Sequence, residues 1–171
     1  MDRLVGNPAP DFTVEGVQTG EIKHYSLKSY RGKWVVLFFY PLDFTFVCPT
    51  EVKGFHKHYA EFQKLNAEVL GVSVDSVHSH KAWAESLGGI DFPLLSDFKK
   101  DMARAYGIYI DNEGCSLRGT FIIDTEGVVR YMVVSDNNVG RSSSETLRVL
   151  QALQTGKLCP MEWEPGQQTL N

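Results

Sequence analysis

The chain of 171 residues lacks several features that would assign it to common classes of protein. Its three cysteines (Cys48, Cys115 and Cys159) include no Cys-x-x-Cys pair, which argues against a zinc ribbon and against a dithiol redox motif. Their odd number and wide spacing also argue against a disulfide-bonded scaffold. No stretch is long and apolar enough to span a bilayer. The net charge of −4 argues against binding to nucleic acid or to an anionic membrane surface.

The first eight residues contain no long apolar run, so we expect no secretory signal and a cytoplasmic location. In a reducing compartment the three cysteines should be thiols at rest. The length predicts one main domain, which we assign to residues 1–156. Residues 157–171, rich in Pro, Gly and Gln, form a C-terminal tail that carries Cys159.

Apolar patterns predict alternating strands and helices. The apolar run 34–40 predicts a buried strand, and residues 49–65 predict a helix with one apolar face. The other predicted elements are a hairpin within 12–25 around Gly16 and Gly20, a strand at 68–75, a helix at 78–87 with Ala82, Trp83 and Leu87 inward, a short strand at 92–95, a helix at 98–106, a hairpin of 120–123 and 128–134, and a helix that begins at the capping box Ser142–Glu145 and ends at Gly156.

This order of elements predicts an α/β fold. We expect a central mixed β-sheet with helices on both faces and an N-terminal β-hairpin extension.

Cys48 lies between the first predicted strand and the helix that follows it. Pro49 fits the first helical turn, which would place Cys48 at the N-cap and Glu51 at the third helical position. Unpaired N–H groups and the helix dipole would favour thiolate over thiol there. The alternative is that Cys48 is a small buried hydrophobe, the commonest fate of a free cysteine. The cap position favours the reactive interpretation.

Four motifs carry a resemblance to a known family. The stretch FYPLDFTFVCPTE at 39–51 contains Pro41-x-x-x-Thr45-x-x-Cys48, which resembles the active-site signature of peroxiredoxins. CPMEWEPG at 159–166 resembles the tail of the typical 2-Cys class, which includes bacterial alkyl hydroperoxide reductases. LRGTFIID at 117–124 and VGRS at 139–142 resemble two further segments. The resemblance, which spans residues 5–168, implies a thioredoxin-like fold and reduction of hydrogen peroxide or organic hydroperoxides by Cys48.

The resemblance also implies roles for the residues around Cys48. The Cys48 thiolate would attack the peroxide and become a sulfenic acid. Thr45 and Arg118 would hydrogen-bond the peroxide, and Arg118 would also contact the sulfur. Each residue taken singly has an ordinary structural interpretation, and only their combination favours catalysis. The residues that would shield the site or orient this network are Pro41, Glu51 and Arg141.

A second set of expectations concerns assembly and turnover. The resemblance implies that Cys159 resolves the sulfenic acid as an intersubunit disulfide, so the working unit is at least a homodimer and often a ring decamer. Thioredoxin or a dedicated flavoprotein disulfide reductase would then supply electrons. Cys115 matches no catalytic position of the family. In this chain Phe44, Ser79 and Trp83 fall at positions where the family forms dimer–dimer contacts, although Trp83 also suits a helix core.

Two other features bear on function. The His56/His58 and His78/His80 pairs are each two residues apart, which on a helix places the two rings on nearly opposite faces, so we expect neither a metal site nor a bound cofactor. Peroxide-sensitive relatives carry a Gly-Gly-Leu-Gly insertion and an added C-terminal helix. This chain has Gly88-Gly89-Ile90-Asp91 and no such helical pattern at its end, so we expect resistance to over-oxidation.

Two other functions remain open at this stage. The chain could be a thiol–disulfide oxidoreductase on the same fold, although the absence of Cys-x-x-Cys counts against it. It could also be a non-enzymatic holdase ring, although the presence of Cys48, Thr45 and Arg118 favours retained activity.

Overall fold

The computed structural model describes residues 3–171, so the first two residues of the predicted 1–156 domain lie outside the described residues. The strands are β1 Thr13–Gln18, β2 Glu21–Ser26, β3 Trp34–Phe39, β4 Ala67–Ser73, β5 Leu94–Ser96, β6 Tyr109–Ile110, β7 Cys115–Ser116, β8 Arg118–Ile123 and β9 Val129–Ser135. The helices are α1 Cys48–Lys64, α2 Val77–Ser86, α3 Asp101–Ala105 and α4 Ser143–Gln154, with a 3₁₀ helix at Leu27–Tyr30.

Seven strands form one sheet in the order β2-β1-β5-β4-β3-β8-β9, and β6 pairs separately with β7. Strands β3, β4 and β5 run parallel, whereas β1, β2, β8 and β9 pair antiparallel. The predicted mixed sheet is therefore confirmed. The α1 helix makes the crossover between the parallel strands β3 and β4, as the strand–helix–strand pattern indicates.

Strand β3 separates two hydrophobic cores because successive side chains of a strand point to opposite faces. Val36 and Phe38 pack with apolar residues of α1, α2 and α4. Val35, Leu37 and Phe39 pack on the other face with residues of the 3₁₀ helix and α3. The sheet thus has helices on both faces, as the sequence predicts.

The N-terminal hairpin has its turn at Thr19–Gly20, where both residues adopt positive φ (48° and 82°). The predicted hairpin is present, and of its two glycines Gly20 lies in the turn and Gly16 lies inside β1. A Cβ atom on Gly16 would lie 2.7 Å from Leu95 Cδ2 and 2.8 Å from the ring of Tyr25. Glycine at this position therefore lets the hairpin approach β5 closely.

Two predicted helices differ in detail. In α2, Trp83 is buried but Ala82 is exposed, because Val77, His80 and Trp83 occupy the inward positions at three-residue steps. The helix predicted at 98–106 is shorter because Lys100 adopts a left-handed conformation (φ 65°). The Asp97 carboxylate accepts hydrogen bonds from the backbone N–H groups of Met102 and Ala103, which have no acceptor within α3.

The last helix begins where the sequence predicts. Ser142 is its N-cap and accepts a hydrogen bond from the Glu145 backbone N–H at 3.1 Å, while the Glu145 side chain accepts from Arg148. The tail after Gly156 contains turns and buries Trp163. None of the helices within residues 3–171 is long and apolar enough to cross a membrane.

Candidate active site

Strand directions bring Cys48, Arg118 and Arg141 to one edge of the sheet. Strand β3 ends at Phe39 and leads into the loop that precedes Cys48. Strand β8 is antiparallel to β3, so Arg118 at its start lies beside the end of β3. Ser135 at the end of β9 pairs with Arg118, so the turn that leads to Arg141 begins at the same edge. This is the carboxyl edge of the parallel strands, where open α/β sheets place their sites.

Cys48 is the first residue of α1 and is 1% exposed. The N-cap is Val47, so the predicted positions of Cys48 and Glu51 are each one residue too early in the helix. The shift keeps Cys48 in the first turn, where backbone N–H groups have no intrahelical acceptor. Pro49 follows at the second helical position, where its missing N–H costs no hydrogen bond.

Arg118 joins Cys48 to Glu51. Its Nη1 donates to the Cys48 sulfur at 3.3 Å and to Glu51 Oε2 at 2.7 Å. Arg141 donates to both oxygens of the same carboxylate, with Nε 2.8 Å from Oε1 and Nη2 2.9 Å from Oε2. The side chains of Glu51, Arg118 and Arg141 are 1%, 4% and 6% exposed, so this is a buried cluster rather than a surface ion pair.

The charges of this cluster favour an anionic sulfur. Burial raises the pKa of the Glu51 carboxyl, but the hydrogen bonds and charge of Arg141, with a further contribution from Arg118, lower it more, so the pKa lies below its ordinary value of 4.5. Glu51 is therefore ionised at neutral pH, and two guanidinium groups face one carboxylate. The remaining positive charge lies against Cys48, and a thiolate there would neutralise it.

The backbone carbonyl of Asn137 holds the other edge of the Arg118 guanidinium. Arg118 Nε and Nη2 donate to this oxygen at 3.1 and 2.9 Å. Among the described residues, the bonds to Asn137, Cys48 and Glu51 use four of the five guanidinium N–H groups. One N–H on Nη2 is left for a bound molecule. Sequence reasoning missed Asn137 because a backbone acceptor leaves no signal in residue type.

Thr45 and Pro41 lie in the loop before Cys48. Pro41 is buried, and Thr45 is half-buried with its hydroxyl donating to the Leu42 carbonyl at 2.9 Å. Within residues 3–171, Thr45 has no hydrogen bond to the Cys48–Arg118–Glu51 group. The donated bond leaves the lone pairs of the Thr45 oxygen as acceptors.

A buried polar network supports this loop from inside the protein, and no sequence pattern predicts it. Asp43 Oδ2 accepts from Ser79 Oγ and pairs with His80 Nδ1, both at 2.8 Å, and Asp43 Oδ1 accepts from Tyr40 Oη at 2.8 Å. The other His80 nitrogen, Nε2, lies 2.9 Å from the Leu95 carbonyl. Burial and the adjacent Asp43 raise the pKa of Tyr40, which keeps its hydroxyl a donor.

The residues predicted at an oligomer interface differ in exposure. Phe44 is 61% exposed, with its ring centroid 6.4 Å from that of Trp83. Trp83 is 2% exposed and packs in the core, and the Ser79 hydroxyl donates a hydrogen bond to Asp43. Phe44 is therefore the one of these three that offers a large apolar surface to a partner.

Cys159 lies at the opposite edge of the sheet from Cys48. It lines a groove together with Trp34, where β3 begins, and Asp124, which follows the end of β8. Strand β3 alone spans about 16 Å between the two edges. Cys159 is half-buried, with its sulfur 3.4 Å from Thr155 Oγ1. The two sulfurs therefore cannot meet within the chain as it is folded here.

Cys115 is the third thiol and is buried on β7. Burial, followed by the negative charge of Glu113, raises the pKa of the Cys115 thiol. A thiol of this kind is a poor nucleophile at neutral pH. Within residues 3–171, no group of three or more His, Cys, Asp or Glu side chains is arranged to hold a metal ion.

Comparison with known proteins finds a matching family model and relatives over nearly the whole chain. The model of the AhpC/TSA family matches residues 5–132. The chain is 53% identical to the Clostridium pasteurianum protein named "Putative peroxiredoxin in rubredoxin operon", over 99% of this chain and 100% of that protein. It is 50% identical to Peroxiredoxin-2 of Rattus norvegicus, over 97% of this chain and 89% of that protein. The reduced 2-Cys peroxiredoxin of Plasmodium vivax superposes with a TM-score of 0.93 at 38% identity, over 98% of this chain and 93% of that one.

Proposed function

We propose a residue-level mechanism for this chain, which belongs to the AhpC/TSA family and is a thiol-dependent peroxidase of the thioredoxin-like fold. It reduces hydroperoxides and takes electrons from a thiol reductant. The observation that carries the mechanism is the contact of Arg118 Nη1 with both the Cys48 sulfur and Glu51.

In the first step the Cys48 thiolate attacks one oxygen of the hydroperoxide. The S–O bond forms as the O–O bond breaks, and the second oxygen leaves as hydroxide or alkoxide and takes up a proton to give water or alcohol. Cys48 is oxidised to a sulfenic acid and the peroxide is reduced by two electrons.

Stabilising the thiolate accounts for only part of the acceleration. A free thiol with a pKa of about 8.5 is a few per cent ionised at neutral pH, so full ionisation gains roughly 30-fold at most. The larger contribution must come from groups that stabilise charge on the breaking O–O bond.

Two groups are suited to that task. The free N–H on Arg118 Nη2 can donate to a peroxide oxygen while Nη1 remains on the sulfur. The Thr45 oxygen, which already donates to Leu42, can accept the O–H of the peroxide. Pro41 excludes water beside them, and Glu51 with Arg141 fixes the Arg118 side chain.

Resolution requires a second chain because Cys48 and Cys159 lie at opposite edges of the sheet. Strand β9 is an edge strand with Val133 and Val134 40% and 36% exposed, and it can pair with a copy of itself. Antiparallel pairing of the two β9 strands would turn the partner subunit end for end. The end of its sheet that carries Cys159 would then lie beside the end of this sheet that carries Cys48. Cys159 of the 157–171 tail would then reach the sulfenic acid of the other subunit, release water and form an intersubunit disulfide.

A reductant restores the two thiols by thiol–disulfide exchange. We propose thioredoxin or a dedicated flavoprotein disulfide reductase in this role, in the cytoplasm, where both cysteines would be thiols at rest. Assembly of homodimers into a ring decamer would bury the exposed Phe44. A coupled NADPH assay that offers each reductase in turn distinguishes the two donors.

The mechanism is tested by peroxide consumption in the presence of a reductant. Cys48→Ser should abolish turnover, because the variant has no thiolate at the start of α1. Cys115→Ser is the matched control and should retain it. Turnover of Cys48→Ser within tenfold of the wild type would overturn the assignment of Cys48.

A further inference from the structure

The turn between β9 and α4 holds the Arg118 guanidinium, yet most of the turn lies in solvent. Asp136, Asn138, Val139 and Gly140 are exposed, whereas Asn137 is half-buried and the Arg141 side chain points inward to Glu51. The backbone carbonyl of Asn137 accepts both Arg118 Nε and Nη2, and its backbone N–H donates to Asp136 Oδ1 at 2.7 Å. Glu51 holds the Nη1 side of the guanidinium, and this carbonyl holds the Nε and Nη2 side.

The Asn137 side chain ties this turn to the strand that carries the arginine. Its Nδ2 donates to the backbone carbonyl of Ser116 at 3.3 Å, two residues before Arg118. Asn137 thus contacts the segment 116–118 at two points. Its side chain binds the Ser116 carbonyl, and its own backbone carbonyl binds the Arg118 guanidinium.

This tether has a cost. Asn137 Oδ1 is buried and has no hydrogen-bond partner among the described residues. A flipped carboxamide would be worse, since it would set Oδ1 against the Ser116 carbonyl and bury an unpaired donor. A buried polar atom without a partner is destabilising, and an apolar side chain of the same size would avoid that cost. Stability therefore does not account for an asparagine here.

We propose that Asn137 is a positioning residue for the peroxidase reaction, an inference that rests on the proposed function of Cys48 and Arg118. Its carboxamide fixes the turn so that the guanidinium lies with Nη1 on the Cys48 sulfur and the free Nη2 N–H toward the peroxide. Without the tether, Glu51 still holds Nη1 near the sulfur, so the positive charge stays in place. The orientation of the Nη2 donor is what the tether supplies.

The test uses full-length Asn137→Leu, which removes the tether and the unpaired oxygen while keeping a similar size. The rate constant of the reduced protein with hydrogen peroxide should fall roughly 10- to 100-fold, the penalty of a misplaced catalytic group. Alkylation of Cys48 by iodoacetamide, which needs the thiolate but no donor to an O–O bond, should change less than about threefold, because Glu51 retains the charge. The Tm should stay the same or rise, because the buried unpaired oxygen is gone.

Asn138→Leu, the exposed neighbour, is the matched control and should leave both rates unchanged. Asn137→Ala removes the same carboxamide with a smaller side chain, so it tests the tether even if leucine does not fit. A peroxide rate within threefold of the wild type in either Asn137 variant would overturn the proposal. The proposal would also be overturned if Tm, peroxide rate and alkylation rate all fell together, or if both variants failed to fold. Either result would mean that Asn137 has only a structural role. An inactive wild type would instead overturn the proposed function.

Discussion

Arg118 lies 70 residues after Cys48 in the sequence, yet its Nη1 nitrogen lies 3.3 Å from the Cys48 sulfur. The antiparallel pairing of β3 with β8 produces this contact. The arginine begins one strand, the cysteine follows the end of the other, and the two positions meet at one edge of the sheet. The contact places a fixed positive charge beside Cys48, which we propose reacts as an anion.

Glu51→Gln should lower both stability and the rate with peroxide. The change leaves two buried guanidinium groups without their carboxylate, which costs about 3 kcal/mol when one partner of a buried pair is removed. The rate should fall because Arg118 loses the charged partner that holds Nη1 beside the sulfur. Urea denaturation at one protein concentration and a stopped-flow peroxide assay measure the two effects. Glu61→Gln, at an exposed position on the same helix, should change neither.

The stability advantage of the wild type over Glu51→Gln should depend on pH in a defined direction. The pKa of Glu51 is lower in the folded chain than its ordinary value of 4.5, so its contribution is complete above that pH and is lost as the pH falls through the lowered value. The difference in unfolding free energy should be constant between about pH 6 and 8 and shrink below about pH 4.5. A difference that grows on acidification would contradict an ionised, arginine-bound Glu51.

Thr45→Val should slow the reaction with peroxide by roughly 10- to 100-fold, because it removes the proposed acceptor of the peroxide O–H. Thr45→Ser keeps a hydroxyl that can donate to Leu42 and should retain most of the rate. The comparison is made on the reduced protein by stopped flow. Equal rates for the valine and serine variants would show that the Thr45 hydroxyl only shapes the loop.

Cys159→Ser should prevent formation of a covalent dimer while sparing the first oxidation. One equivalent of peroxide should convert the wild type to a dimer on a non-reducing gel, since Cys48 and Cys159 cannot meet within one chain. The variant should remain a monomer on the gel and accumulate a sulfenic acid, which dimedone traps. Cys115→Ser should dimerise like the wild type. A Cys159→Ser chain that still dimerised through sulfur would transfer the resolving role to Cys115.

The wild type should resist inactivation by excess peroxide. Disulfide formation requires the first turn of α1 to open, and its N-cap is Val47, which has no side-chain atom able to cap it. A missing cap weakens a helix start by about 1 kcal/mol. After turnover at millimolar peroxide with a reductant, intact mass spectrometry should find the disulfide in excess over the sulfinic acid. Cys159→Ser, which cannot form the disulfide, should become sulfinic, and a dominant sulfinic wild type would mean that other contacts hold the turn shut.

The sequence by itself determined the order of elements and singled out Cys48 as the candidate reactive cysteine. A seven-residue apolar run predicts β3, and three- and four-residue apolar steps predict α1, because these periods follow directly from strand and helix geometry. Pro49 marks the start of α1 to within one residue. The Ser142 cap and the β8–β9 hairpin could also be predicted from the sequence, since each depends on residues a few positions apart.

Only the tertiary structure decided which distant groups meet. The burial of Glu51 between two arginines, the Asp43–His80 pair and the carbonyl of Asn137 on Arg118 all join residues from different elements. Local patterns cannot show these contacts, because they depend on strand order and direction rather than on spacing along the chain. The short α3 and the inward Gly16 have the same origin: Asp97 caps α3 from outside it, and close approach to Leu95 requires a glycine in β1. The chemistry was visible in residue types, whereas its geometry was set by the packing of β3, β8 and β9.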